Sequence, residues 1–360
     1  MTTKHKPLRF PKDELKHDHG VEWWYWNGNG KDKEGNEYAF MHCLFRTDIK
    51  KFKLPLSGIG PHMPFYFSHS VITDVSRKKA YPHINYAALV THDSFERKLL
   101  HVHYSNPIPT ASDRESTITE PEPFSYEIQA EQLDIRMVAT KPPISLGENG
   151  YMTLRNDTTY YYSIPRLTLE GSIRSGKKWV PIKGTAWMDH QWMNPHFSKD
   201  GWSWFSIQLS DKTDIVCFKH MSEAGETDYG HISRPDGIQT KAQRIILTPI
   251  AHWTSRTTKT RYPLEWKIEL PDEHISLLIT PQVKNQEMLF AGMHYWEGPT
   301  QITGTVGKKK VSGHGFMELV GYRSRYSNIE FITAMIKGAL SLLAQHTKNV
   351  MRDKKQPRSK

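Results

Sequence analysis

The alternation of apolar and polar positions is clearest near the start of the chain. In Val21-Glu22-Trp23-Trp24-Tyr25-Trp26, four aromatics fall in four positions, an arrangement unsuited to an amphipathic helix. Read with a period of two, Trp24 and Trp26 share one face, and Trp23 and Tyr25 share the other. Asn27-Gly28-Asn29-Gly30 and Glu34-Gly35-Asn36 mark a hairpin connection. The return strand, 37–46, sets Tyr38, Phe40, His42, Leu44 and Arg46 on one face and Ala39, Met41, Cys43 and Phe45 on the other. Both faces are largely apolar, so the strand is covered on both sides or lines a closed barrel.

The same pattern recurs along the chain. After a Pro-, Gly- and Lys-rich loop at 51–64, strands are expected at 65–74, 99–104, 124–128, 133–139, 151–154 and 160–171. Residues 202–209 and 215–221 pair across Ser210-Asp211-Lys212-Thr213. Arg234-Pro235-Asp236-Gly237 is a turn in which proline presets φ and glycine supplies a positive one. Residues 262–270 form a half-exposed strand, and further strands follow at 275–280, 288–290, 294–296, 301–305 and 316–321. Many short strands with turn signals between them predict an all-β protein of barrels or sandwiches. Only 329–348 has a helical period, with Ile329, Ile332, Met335, Ile336, Ala339, Leu340 and Leu343 on one face and a basic tail behind it. This helix docks on the barrels or lies on a membrane surface, and it is too short to span one. The expected division is a polar arm at 1–15, one domain at 16–180, a second at 181–326, and the helix and tail at 327–360.

Composition narrows the function. The chain has 360 residues, enough for two domains. Its two cysteines, Cys43 and Cys217, lie in separate strand-like runs and read as reduced core residues. The net charge of +10 is spread along the chain, and no nucleic-acid-binding motif accompanies it, so no nucleic-acid partner is expected. Contact with an anionic surface fits better, through residues 329–360. The first sixteen residues are polar and show no signal peptide, so a cytoplasmic location is expected.

The stretch Gly184-Thr185-Ala186-Trp187-Met188-Asp189-His190-Gln191-Trp192 sets a carboxylate beside an imidazole, with a tryptophan on each flank. It reads as a bend between strands. A carboxyl among indole rings is poorly hydrated, and its pKa rises toward the range useful for proton donation. The alternative is that Asp189 caps a turn, His190 bonds a backbone carbonyl and the tryptophans are core. Nineteen histidines invite a metal, yet neither His17-Asp18-His19 nor His101-Val102-His103 is completed by a further ligand motif. No metal and no cofactor are expected. No Gly-x-Ser-x-Gly elbow occurs, which counts against a serine hydrolase. What remains is an aromatic-rich interior with acids at Glu22, Asp189, Glu297 and Glu318. Aromatic faces stabilise passing positive charge by about 0.5–2 kcal/mol each, which suits cationic chemistry on an apolar, unsaturated molecule.

Several stretches, in order and spacing, resemble the AttH-like, carotenoid 1,2-hydratase (hydroxyneurosporene synthase) family. They are His19-Gly20-Val21-Glu22-Trp23-Trp24-Tyr25, Tyr161-Tyr162-Ser163-Ile164-Pro165-Arg166-Leu167, Gly184 to Trp192, Gly201-Trp202-Ser203-Trp204-Phe205, Tyr295-Trp296-Glu297-Gly298 and Glu318-Leu319-Val320-Gly321-Tyr322. The resemblance implies two lipocalin-like antiparallel β-barrels with a ligand cavity at or near their junction. It implies hydratase, lyase or isomerase chemistry on a hydrophobic unsaturated small molecule, with Asp189 as the acid and Glu22, Trp24, Tyr162 and Trp187 lining the cavity. In this reading His190 orients Asp189 or passes protons. Trp187, Trp192 and Trp24 stabilise the cation, and Glu22 or Tyr162 holds water. Trp26, His42, Arg46, His69, Trp204, Trp296 and Glu318 complete the candidate binding set. A carrier of a lipid or pigment without turnover, and a hydrolase, are the alternatives.

Overall fold

The computed structural model describes residues 5–48, 51, 65–90, 98–105, 115–154, 157–194, 200–290 and 293–322. The amphipathic stretch and basic tail expected at 327–360, and most of the loop at 51–64, lie outside the described residues. No helix among the described residues is long and apolar enough to cross a membrane.

The described residues form 22 strands. The first twelve are β1 (Val21–Lys31), β2 (Glu37–Thr47), β3 (Phe65–Asp74), β4 (Lys79–Val90), β5 (His101–Ser105), β6 (Ser116–Thr119), β7 (Ser125–Ala130), β8 (Leu133–Ala139), β9 (Ile144–Ser145), β10 (Tyr151–Leu154), β11 (Asp157–Ser175) and β12 (Lys178–Met193). The other ten are β13 (Gly201–Leu209), β14 (Asp214–Ser222), β15 (Gly225–Ser233), β16 (Gln239–Lys241), β17 (Ile246–Thr254), β18 (Arg261–Leu270), β19 (Ile275–Pro281), β20 (Glu287–Phe290), β21 (Met293–Val306) and β22 (Lys309–Val320). Every pairing is antiparallel.

The first sheet runs β10-β11-β12-β1-β2-β3-β4-β5-β6-β7-β8, and β8 pairs back onto β11. That pairing closes a barrel and removes the edges an open sheet would present. The second sheet runs β16-β15-β14-β13-β22-β21-β19-β18-β17, with β20 on β21. It curls around its own core, and β16 and β17 stand at its two ends. The fold is thus all-β, with two curled antiparallel sheets.

β1 and β2 behave as their alternation predicts. Trp24, Trp26, Phe40 and Leu44 point into the first barrel, whereas Tyr25, Met41 and Cys43 join a second apolar layer. That layer continues across the junction into Trp204, Val216, Phe218, Met288 and Phe316 of the second sheet. A strand buried on both faces carries few polar residues, which is why this hairpin lacks a wet side. Polar ties reinforce the junction. The Arg166 guanidinium grips Asp214 through Nη2–Oδ1 at 2.6 Å, Lys141 Nζ meets the same carboxylate at 2.8 Å, and Thr185 donates to Gln208 at 2.7 Å.

Three expectations change. The stretch 184–192 is not a bend: β12 runs through it unbroken, between β1 and β11. Gly184 is there because the strands cross closely; a Cβ would stand 2.0 Å from the Asn29 carbonyl oxygen. Gly184→Val should therefore lower the urea midpoint, at a cost of about 1–3 kcal/mol from overpacking. The change of sheet comes after Met193 rather than near residue 180, because all of β12 belongs to the first barrel. Finally, the segment expected as a polar arm enters the barrel. Leu8 and Phe10 pack on its core, and Glu14, at the end of the 3-10 turn Lys12–Glu14, is fully buried.

Candidate active site

Neighbouring residues on a strand point to opposite faces. Asp189 and His190, adjacent in β12, are therefore divided between two environments, and His190 cannot orient Asp189.

The inner face of β12 carries Met188, His190 and Trp192 into the first barrel. His190 Nε2 lies 3.0 Å from Glu22 Oε1, and its Nδ1 lies 3.1 Å from the Tyr162 hydroxyl. His17 Nδ1 reaches the same Glu22 oxygen at 2.8 Å, and its ring stacks on Trp192 at 3.6 Å. Arg46 donates to the carbonyls of His17 and His19. Tyr126 and Tyr162 both donate to Glu14 Oε1, at 2.7 and 3.1 Å, and Trp24 Nε1 donates to the Glu14 carbonyl. Burial pushes the His190 imidazole down to about 4. Burial would raise Glu22, but hydrogen bonds from His17 and His190 hold it below the usual range. These groups form a polar plug that fastens the N-terminal segment into the barrel mouth.

His17, Glu22 and His190 offer metal-ligating atoms within 4.8 Å of one another, a grouping that no sequence spacing discloses. Their geometry suits hydrogen bonding better than a cation. Both imidazole nitrogens already contact one carboxylate oxygen, the His17 backbone N–H bonds the same group at 3.0 Å, and the Arg46 guanidinium stands 3.9 Å away. Elsewhere in the barrel a cavity of about 20 Å³, lined by His42, Ser70, His83, Asn85 and Tyr104 among others, has room for a single water.

The outer face of β12 carries Asp189 toward the second sheet. It belongs to a cross-strand row, Ser163–Asp189–Tyr25–Cys43–His69, drawn from β11, β12, β1, β2 and β3. A second row, Phe218–Trp204–Glu318–Glu297, comes from β14, β13, β22 and β21. Direct bonds join the two: Tyr25 donates to Glu297 Oε1 at 2.8 Å, and Trp204 Nε1 donates to the Tyr161 hydroxyl at 2.8 Å. The Tyr161 hydroxyl donates in turn to Asp189 Oδ2 at 2.5 Å, and Trp187 Nε1 donates to Oδ1 at 2.7 Å. Trp202 Nε1 reaches Glu318 Oε1 at 2.5 Å, and His69 Nδ1 meets the Tyr295 hydroxyl at 2.6 Å. Asp189 is 4% exposed. Burial pushes its carboxyl up to about 7, against the hydrogen bonds from Tyr161 and Trp187. No arginine or lysine pairs with Asp189, Glu297 or Glu318 among the described residues.

Of the candidate residues, Asp189, Trp187, Trp204, Glu318 and His69 meet at this junction. Glu22, His190, Tyr162, Trp24, Trp26, His42, Arg46 and Trp192 lie inside the first barrel. Trp296 sits in the core of the second sheet, its Nε1 donating to the Lys284 carbonyl at 2.7 Å. Tyr25, Tyr161, Trp202, Tyr295 and Glu297, none of them among the candidate residues, also belong to the junction. Strand alternation could have found Tyr161: it is one step from Tyr162, on the face that Asp189 shares.

Burial pushes His42, bonded to Ser70 at 2.6 Å and Tyr104 at 3.0 Å, down to about 3. A histidine with a lowered folded pKa binds fewer protons folded than unfolded. Its stabilising contribution is complete above about pH 6.5 and is lost as pH falls. The stability advantage of the wild type over His42→Gln should therefore grow by about 3 kcal/mol between about pH 4 and 6.5 in urea titrations.

Comparison with known proteins agrees with this architecture. Kievitone hydratase of Fusarium solani subsp. phaseoli is 26% identical over 207 residues, covering 55% of this chain and 57% of that protein. Dehydratase asqC of Emericella nidulans is 22% identical over 207 residues, covering 52% and 57%. The matches thus span little more than half the length of these relatives. Among solved structures, an AttH-type protein from Nitrosomonas europaea superposes with a TM-score of 0.70 at 24% identity, over 89% of this chain and 98% of that one. Kievitone hydratase from Nectria haematococca gives 0.68 at 17% identity, over 90% and 95%. At these identities the superpositions show the shared fold. A family model described as AttH-like matches residues 1–322, and the chain belongs to the AttH-like family.

Proposed function

We propose that this protein is a hydratase or dehydratase acting on an uncharged, hydrophobic, unsaturated small molecule at the junction of the two sheets, with Asp189 as its acid. The observation that carries the reading is the Asp189 carboxyl: buried, fixed by Tyr161 and Trp187, and pushed up to about 7. A group with that pKa is protonated often enough near neutral pH to donate, and acidic enough to do so. The relatives named as a hydratase and a dehydratase support the same reaction class in its two directions.

In the hydration direction, the Asp189 proton passes to an alkene carbon. The faces of Trp187, Trp202 and Trp204 stabilise the cation that forms, and water adds to it. In the reverse direction, the Asp189 carboxylate takes the proton back from the carbon as the hydroxyl departs as water. A junction of carboxyls, phenols and indoles, without a cationic partner among the described residues, favours a neutral substrate over an anionic one. Hydration of a carotenoid 1,2 double bond is the narrower form of this proposal. The experiment is turnover on a panel of kievitone and acyclic carotenoids in ¹⁸O-labelled water, with wild type and Asp189→Asn side by side. Label incorporation by the wild type alone supports the reading. Equal incorporation by both defeats it.

A further inference from the structure

Hydration needs two proton-handling groups: an acid for the carbon and a base for the water. Asp189 supplies the first, and the second sheet supplies candidates for the other. Glu297 and Glu318 are direct cross-strand partners on β21 and β22, and their side chains face the row that holds Asp189. Glu297 is completely buried. The Tyr25 hydroxyl donates to it, and Tyr25 is itself the cross-strand partner of Asp189. The Trp202 indole donates to Glu318. No lysine or arginine among the described residues pairs with either, so two buried negative charges on directly opposed strand positions disfavour each other.

The geometry points to Glu297 and Glu318 as one catalytic unit that holds a single proton between its two carboxyls and takes the second proton from the attacking water. This rests on the reading of Asp189 as the acid. Burial, then the neighbouring Glu318, pushes Glu297 well above the usual range. Burial also raises Glu318, while Trp202 and Glu297 draw it back down. Both carboxyls are thus raised, and the shared proton belongs to the pair rather than to either glutamate. During turnover the alkene π pair takes the proton from Asp189, leaving a carboxylate and a carbocation. The water oxygen forms the C–O bond, and its O–H bond breaks toward the ionised carboxyl of the pair. One water has been added across the double bond, and one proton has moved from Asp189 to the glutamate pair. Dehydration runs the same steps backward.

A pair that already holds two protons cannot accept another, so the acid limb of the pH–rate profile belongs to the pair and the alkaline limb to Asp189. The test compares wild type, Glu297→Gln, Glu318→Gln, Glu318→Asp and Asp189→Asn on whichever of the kievitone and carotenoid probes the wild type hydrates. Thermal unfolding confirms that each variant is folded. Both glutamine variants are expected to lose about 100-fold in kcat, with the acid limb moved to higher pH because the remaining carboxylate has lost its protonated neighbour. Glu318→Asp, which keeps a carboxylate, is expected to recover part of the rate. If Asp189→Asn is inactive while the folded glutamine variants keep wild-type kcat and an unmoved acid limb, the pair has no such role and the Asp189 assignment stands. If Asp189→Asn keeps full activity, or no probe is turned over, both assignments fall together.

Discussion

Asp189→Asn should lower kcat by about 10³-fold while leaving the protein folded. The magnitude follows from the general-acid role, which contributes about 10² to 10⁴ in rate. The fold should survive because Asn keeps the size of the side chain and one oxygen, and the Trp187 indole still has an acceptor at 2.7 Å. Stability supplies an independent sign. The Asp189 carboxyl is raised from 3.8 to about 7 by burial, so the folded protein holds this proton more tightly than the unfolded chain. Its contribution is present below about pH 4 and is lost as pH rises through about 7. The stability difference between variant and wild type should therefore move in favour of Asn over that interval. This is the opposite of the trend expected for His42→Gln. Finding both trends in urea titrations would show that a buried acid and a buried imidazole act as their environments dictate.

Glu22→Ala should give the largest loss of stability, about 3–5 kcal/mol, with a corresponding fall in Tm of several degrees. Glu22 is fully buried and receives His17, His190 and the His17 backbone N–H, with Arg46 close by. Its removal strands two imidazoles and a guanidinium in the barrel mouth. Under conditions where the variant remains folded, however, kcat should stay within a few-fold of wild type. The reason is geometric: Glu22 and His190 face the barrel interior, whereas Asp189 and Tyr25 face the second sheet. Stability lost with kcat retained at Glu22, and the reverse at Asp189, would separate the two faces of one pair of strands. Thermal melts and initial rates on the same preparations measure both.

The facing residues of the β1–β2 hairpin were legible, because alternation fixes which side chains share a face; its turn was not, since Asn27-Gly28-Asn29-Gly30 continues β1 and only Glu34-Gly35-Asn36 falls in the connection. The burial of Asp189 was legible too, since tryptophans on both flanks have few other places to go. The grouping around it was not. Adjacency in sequence made Asp189 and His190 look like a couple, and an extended backbone separates such neighbours by pointing them apart. Gly184 looked like a turn former, although its freedom from a side chain serves a close strand crossing instead. Glu14, among Lys12, Asp13 and Lys16, looked exposed. What buries it are hydroxyls of Tyr126 and Tyr162, 112 and 148 residues away, and no local pattern records them. The same holds for the pairing of Glu22 with His190, which spans 168 residues. Register across strands decides these contacts, and it is a property of the whole sheet.

The most direct measurement is a ¹³C NMR titration of the Asp189 carboxyl in the full chain, assigned by its absence from Asp189→Asn. A resonance that titrates near pH 7 is the predicted result, since the junction of the sheets keeps water from that group. A resonance that titrates near 3.8, as in a hydrated aspartate, would contradict the account.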